Sequence, residues 1–140
     1  LVVDDEASVA LMIVFLLTRA GYDAHPAWTA ERALRLAQTE RFDLITSDID
    51  MPGGNGFNLF RQLRAIPHLK ETPVVFISAN ATIENQQYAL AIGAAASIEK
   101  PFETQDFLRR ILFCIKKTPD SSDVLDERAN TNPQSLCNTP

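Results

Sequence analysis

Cysteine is scarce, and Cys114 and Cys137 have neither the spacing of a metal site nor that of a disulfide framework. Cys114 falls in an apolar helical pattern and Cys137 in a polar stretch, so both read as reduced thiols. Histidine is equally rare. His25 and His68 stand apart from the acidic positions described below, which leaves no zinc constellation. Long hydrophobic runs are missing too: the longest, Val9 to Leu17, falls far short of the roughly 20 residues that span a bilayer. With no basic segment before it and no small-residue cleavage site after it, that run does not read as a signal peptide. Nor is there a basic excess. The 13 Lys and Arg residues are outnumbered by 18 Asp and Glu, giving a net charge of -5, which argues against nucleic acid as the main partner.

What remains is an ordinary globular balance of 46% hydrophobic and 22% charged residues, which excludes global disorder. A length of 140 residues suits one domain. The chain opens at Leu1, without Met and directly in a strand-like run, so it is expected to be a piece of a longer polypeptide.

Apolar, β-branched runs alternate regularly with helical periodicity. Leu1 to Val3 reads as a strand, Ser8 to Ala20 as a helix stopped by Gly21, and Tyr22 to Ala27 as a weaker strand. Thr29 is an expected N-cap for a helix to about Thr39 with Ala33, Leu34 and Ala37 on one face. Phe42 to Ser47 is a third strand, Pro52 to Gly56 a loop, and Phe57 to Ala65 a helix. Pro73 to Ser78 is a fourth strand, Thr82 to Ile92 a helix stopped by Gly93, and Ala95 to Ile98 a short fifth strand. Glu103 to Lys117 is amphipathic, with Phe107, Leu108, Ile111, Leu112 and Ile115 at helical spacing. Such an alternation implies a parallel sheet with helices on both faces. After Lys117 the chain turns polar and aperiodic, so 1–117 is expected to be the domain and 118–140 a disordered tail or linker.

In an open parallel sheet, ligands gather at the carboxyl ends of the strands. The first strand ends on Asp4, Asp5 and Glu6, the third on Asp48, the fourth on Ser78, and the fifth runs into Lys100. Singly, each has a bland explanation. An Asp after a strand ordinarily turns the chain or caps a helix, and Asp5 or Glu6 suits the dipole of the helix that follows. A Ser there is most often a turn hydroxyl, and a Lys before Pro is most often solvated. Their coincidence on successive strand ends is what points to chemistry. Carboxylates that crowd together raise one another's pKa unless a cation intervenes, and Mg²⁺ prefers such oxygen ligands and also bridges phosphates. One carboxylate can then attack phosphorus to give an acyl phosphate, with Lys100 and Ser78 contacting phosphoryl oxygens.

Four segments in order carry a resemblance to a known family: LVVDDE at 1–6, DLITSDIDMPGGNGF at 43–57, PVVFISA at 73–79 and GAAASIEKPF at 93–102. Over about Leu1 to Lys117 the chain resembles the receiver domain of two-component response regulators. The resemblance implies a flavodoxin-like, doubly wound α/β fold: a five-stranded parallel sheet of order 2-1-3-4-5 with five helices. It implies that Asp48, four residues before Pro52, accepts a phosphoryl group from a phosphohistidine donor. It places Asp5 on Mg²⁺ directly, Asp4 mostly through water, and Asp48 and the backbone carbonyl of Asp50 beside them as further ligands. Lys100 becomes the phosphate-pairing lysine, with a cis bond to Pro101, and Ser78 the switch hydroxyl that moves towards the phosphoryl group. The implied partner is a sensor histidine kinase or a histidine phosphotransfer protein, with a homodimer as a further option, in the cytoplasm and away from membrane and nucleic acid. The implied role is that of a phosphoacceptor signalling domain rather than a turnover enzyme.

Departures from the family pattern matter. Three residues before the lysine the family usually carries Tyr or Phe, and this chain has Ser97, which puts an aromatic-rotamer switch in doubt. Asp50 and Asn80 occupy positions that flank the phosphate and tune its lifetime in the family. The first helix is apolar nearly all round, so its outer side is a candidate docking patch for a helical partner, as generous core packing is the blander account. Two other readings compete. Asp48-Ile49-Asp50 also fits the start of haloacid-dehalogenase-type phosphatases, although those usually place Thr or Val where Pro52 stands. A binding module that signals without phosphate is the other, favoured only by Ser97.

Overall fold

A computed structural model describes residues 1–116, so Cys137 and the expected tail at 118–140 lie outside the described residues. Five parallel strands form one sheet in the order β2-β1-β3-β4-β5: β1 (Val2–Val3), β2 (Pro26–Ala27), β3 (Ile45–Ser47), β4 (Val74–Ser78) and β5 (Ala96–Glu99). Five helices alternate with them: α1 (Ala7–Arg19), α2 (Ala30–Thr39), α3 (Gly56–Arg64), α4 (Ile83–Ala91) and α5 (Thr104–Lys116). This is the expected flavodoxin-like order.

Side-chain alternation along the strands builds two cores. Val3, Val74 and Phe76 face one way, into a core with Ala33 and Ala37 of α2, Leu59 and Leu63 of α3 and Ala89 of α4. Val2, Val75 and Ile77 face the other, against Ala10, Ile13 and Leu17 of α1 and Phe107 and Ile111 of α5. A strand covered on both sides has no polar face, which is why these runs are apolar throughout.

Local chemistry sets the helix starts. The Thr29 hydroxyl accepts from the Arg32 N–H at 3.0 Å, Asn55 Oδ1 from the Phe57 N–H at 2.7 Å, and the Thr82 hydroxyl from the Asn85 N–H at 3.1 Å. Gly21 follows α1 with φ of 97°, the left-handed geometry that ends a helix without a Cβ clash.

Two strands are shorter than their sequence signals. β2 is confined to Pro26–Ala27 rather than Tyr22–Ala27, because it is an edge strand whose one neighbour in the sheet is the two-residue β1. The Val2 N–H donates to His25 O at 2.8 Å and the Asp4 N–H to Ala27 O at 3.1 Å, so the missing N–H of Pro26 is no loss. Tyr22 and Ala24 pack beside the second core without pairing. Likewise β3 begins at Ile45, not Phe42. One element had no expectation: a single 3₁₀ turn at Pro67–Leu69, which seats the fully buried Leu69 under α3.

Gly56 opens α3 against the backbone of the third strand end. A Cβ placed there would lie 2.0 Å from the carbonyl oxygen of Asp48. Gly56→Ala is therefore expected to lower stability by about 1–3 kcal/mol, the usual cost of overpacking. Chemical denaturation would read this as a lower midpoint at unchanged slope. An Ala variant as stable as the parent would show that the loop yields freely.

Candidate functional site

The register of the sheet brings the acidic strand ends together. Val3 lies level with Ser47 and Ser47 with Phe76, so Asp4 and Asp48 emerge side by side at the carboxyl edge. Asp4, Asp5 and Asp48 each offer a carboxylate oxygen, and these atoms lie within 4.8 Å of one another. Asp4 and Asp48 are buried, while Asp5 is open to solvent.

Both buried acids are held. Asp4 Oδ1 accepts from the Glu6 N–H at 3.0 Å, and Asp48 Oδ1 from the Ile49 N–H at 2.7 Å. Their other oxygens face Lys100, whose Nζ is 2.6 Å from Asp4 Oδ2 and 3.4 Å from Asp48 Oδ2. Lys100 is tethered at its backbone, its N–H donating to Ser78 O at 3.0 Å, and its bond to Pro101 is cis. Lys100 thus lies against the acidic cluster, with Asp4 as its nearer partner.

Burial raises the Asp48 pKa above the usual 3.8; Lys100 opposes this and Asp4 adds to it. For Lys100 burial pulls downward, but the hydrogen bond to Asp4 and the charges of Asp48 and Asp4 outweigh it, and its pKa rises above 10.5.

Ser78 stands at the end of β4, buried, with its hydroxyl accepting from the Asn80 N–H at 3.0 Å. It is thus turned onto its own loop. Asp50 is exposed, and its carboxylate is not among the acids gathered here. His25 and His68 lie elsewhere, as expected, His68 beside the carbonyl of Ala37 at 2.8 Å. Two contributors escaped the sequence reading. The Ile49 N–H that steadies Asp48 is backbone and carries no residue signature. Gly56 was legible only as a loop glycine, yet it lets α3 start against Asp48.

The donor set suits a hard divalent cation. All ligands are oxygens, and three carboxylates face one ammonium, so charge remains to be neutralised. Among the described residues no helix is long and apolar enough to cross a membrane.

Comparison with known proteins agrees with this geometry. The family model for the response regulator receiver domain matches residues 1–112. The phosphate regulon transcriptional regulatory protein PhoB of Pseudomonas aeruginosa is 30% identical over 89% of this chain and 55% of its own length. The transcriptional regulatory protein DltR of Streptococcus agalactiae is 34% identical over 79% of this chain and 49% of its own. The chain therefore spans about half the length of the curated relatives it matches. Among solved structures, the chemotaxis response regulator CheY4 of Vibrio cholerae superposes with a TM-score of 0.76 at 33% identity, covering 81% of this chain and 94% of that one. A response regulator protein from Burkholderia pseudomallei, solved with a phosphorylated aspartic acid, a calcium ion and citrate, gives 0.71 at 28% identity over 94% and 73%.

Proposed function

The chain belongs to the family of response regulator receiver domains, and from that premise we propose that Asp48 accepts a phosphoryl group from a phosphohistidine donor. The observation that carries the proposal is the position of Asp48, beside Asp4, Asp5 and Lys100 at the carboxyl edge of the sheet. The relative from Burkholderia pseudomallei, solved with a phosphorylated aspartic acid and a calcium ion, supports it. Family membership also argues against reading Asp48-Ile49-Asp50 as a phosphatase motif.

Asp4, Asp5 and Asp48, with the backbone carbonyl of Asp50, would hold Mg²⁺, which when bound neutralises negative charge on the phosphoryl oxygens. The rest falls to the chain's own groups. An Asp48 carboxylate oxygen forms a bond to phosphorus as the phosphorus–nitrogen bond to the donor imidazole breaks, and the leaving imidazole takes up a proton. Lys100 is close enough to turn from the carboxylates to a phosphoryl oxygen. The Ser78 hydroxyl, turning from the Asn80 N–H, donates to another and draws its loop along. Incubation with acetyl phosphate should label the protein with an acyl phosphate that hydroxylamine cleaves, and EDTA should prevent it. A label that forms in EDTA would overturn the proposal.

The outer side of α1 fits the donor. Leu11, Met12 and Phe15 are 51%, 45% and 57% exposed, an apolar stripe at helical spacing on the helix that follows Asp4 and Asp5. A helical bundle that carries the phosphohistidine can lay an apolar face on it. Phe15→Glu should leave stability and acetyl phosphate labelling unchanged while slowing transfer from a histidine phosphotransfer protein about tenfold or more, as expected for an interface anchor. Equal transfer rates would remove α1 from the docking surface.

A further inference from the structure

Two paths of tight contacts lead away from the carboxyl edge of the sheet, one from the Asp48 strand end and one from Ser78, and they meet at one side chain. Along the first, the Gly56 N–H donates to Ile49 O at 2.7 Å, so α3 starts bound to the residue after Asp48. The next residue, Phe57, is buried and packs edge-to-face on Phe76 of β4, ring centres 5.0 Å apart. Along the second, the Ser78 hydroxyl accepts from Asn80, and the loop it holds is stitched to α4. The Asn85 amide donates to Asn80 O at 2.8 Å and the Gln86 amide to Ala81 O at 3.0 Å, while Thr82 caps the helix.

The meeting point is Tyr88 on α4. Its ring stands on Phe57 at 4.8 Å with planes 78° apart, and its hydroxyl accepts from the Arg61 guanidinium of α3. At 38% exposure, it touches both core and solvent. Ser97 on β5 offers no comparable lever. Its hydroxyl is buried without a hydrogen-bond partner, and it is too short to carry a rearrangement to the surface.

We infer that Tyr88, held between Phe57 and Arg61, is the side chain that registers the loading of Asp48 and displays it on the α3–α4 face. The inference rests on the reading of Asp48 given above. When the Ser78 hydroxyl leaves Asn80, the loop at 79–82 loses its anchor and α4 shifts with it. Phe57 stays with the Asp48 strand end, so Tyr88 slides over a fixed ring and its bond to Arg61 breaks. Tyr88 is thus a positioning residue and does not touch the phosphoryl group.

Fluorine spectroscopy separates the two claims. Two tyrosines are described, Tyr22 and Tyr88, and 3-fluorotyrosine at both gives a test signal and an internal control, assigned through Tyr22→Phe and Tyr88→Phe. Addition of Mg²⁺ and beryllofluoride produces bound-fluoride resonances that report loading of Asp48. With those present, the Tyr88 resonance should move by more than its linewidth and that of Tyr22 should not. Tyr88→Phe should bind beryllofluoride roughly 2- to 10-fold tighter, because the hydroxyl's hydrogen bond belongs to the arrangement that loading abandons. Bound fluoride with a stationary Tyr88, or an unchanged affinity in Tyr88→Phe, overturns the coupling while leaving Asp48 as the acceptor. No bound fluoride at all overturns both.

Discussion

Asp48→Asn is expected to reduce Mg²⁺-dependent labelling by acetyl phosphate to background. The amide has no anionic oxygen to attack phosphorus, and no neighbour replaces it. Asp4 is 1% exposed, with one oxygen on the Glu6 N–H and the other on Lys100. Asp5 is open to solvent, where its carboxylate lacks a fixed aim, and Asp50 lies outside the cluster. Phosphate release after acid or hydroxylamine treatment measures the label directly. Labelling that survives in Asp48→Asn would sink the assignment.

A stability measurement shows that such a loss is not unfolding. Burial, partly opposed by Lys100 and reinforced by Asp4, raises the Asp48 pKa above 3.8, so the folded protein binds this proton more tightly than the unfolded chain. The ionised carboxylate consequently costs stability at every pH above the raised value. That cost fades as pH falls through the raised value and is gone below 3.8. Asp48→Asn should then melt higher than the parent at pH 7 in EDTA, by about 3–6 °C for each kcal/mol relieved. The gap should close as the pH is lowered. A variant less stable at pH 7 would mean that the Ile49 N–H and Lys100 bind the carboxylate strongly enough to reverse the balance.

Much of the fold was legible because the local signals agree with the global arrangement. Thr29 and Gly21 mark helix ends by mechanisms that act within a few residues, and both do so in the structure. The acidic edge was legible for a similar reason: strand ends in a parallel sheet share one edge, so listing them lists the site. What escaped depends on partners far away in sequence. β2 shrinks to Pro26–Ala27 because pairing with β1 decides its length, not the apolar character of Tyr22 to Ala27. The preference of Lys100 for Asp4 over Asp48 is a matter of ångströms across 96 residues of chain, which spacing cannot express. Nor could spacing show that the inward side of α1 would be Ala10, Ile13 and Leu17, leaving Leu11, Met12 and Phe15 outside. A helix apolar all round has no preferred face until its neighbours are placed.

The preference of Lys100 for Asp4 leads to the largest stability effect expected of a single substitution here. Lys100→Met keeps the length and the aliphatic packing of the stem and removes only the ammonium. The side chains of Lys100, Asp4 and Asp48 are 13%, 2% and 9% exposed, so the lost charge is not replaced cheaply by water. Breaking a buried ion pair from one side costs about 3–5 kcal/mol, because the abandoned charges stay desolvated. Here two carboxylates are abandoned together, and each also repels the other. In EDTA at pH 7 the variant should therefore melt far below the parent. Lowering the pH should recover part of the loss, since the carboxylates then take up protons that the ammonium formerly discouraged. Mg²⁺ should recover more, and should raise the melting temperature of Lys100→Met further than that of the parent, where the ammonium already occupies Asp4. Thermal melts across a Mg²⁺ titration separate these terms. If Lys100→Met matches the parent in EDTA, or if both respond equally to Mg²⁺, then Lys100 and the cation do not share the Asp4 oxygen, and the acidic cluster is better hydrated than its burial implies.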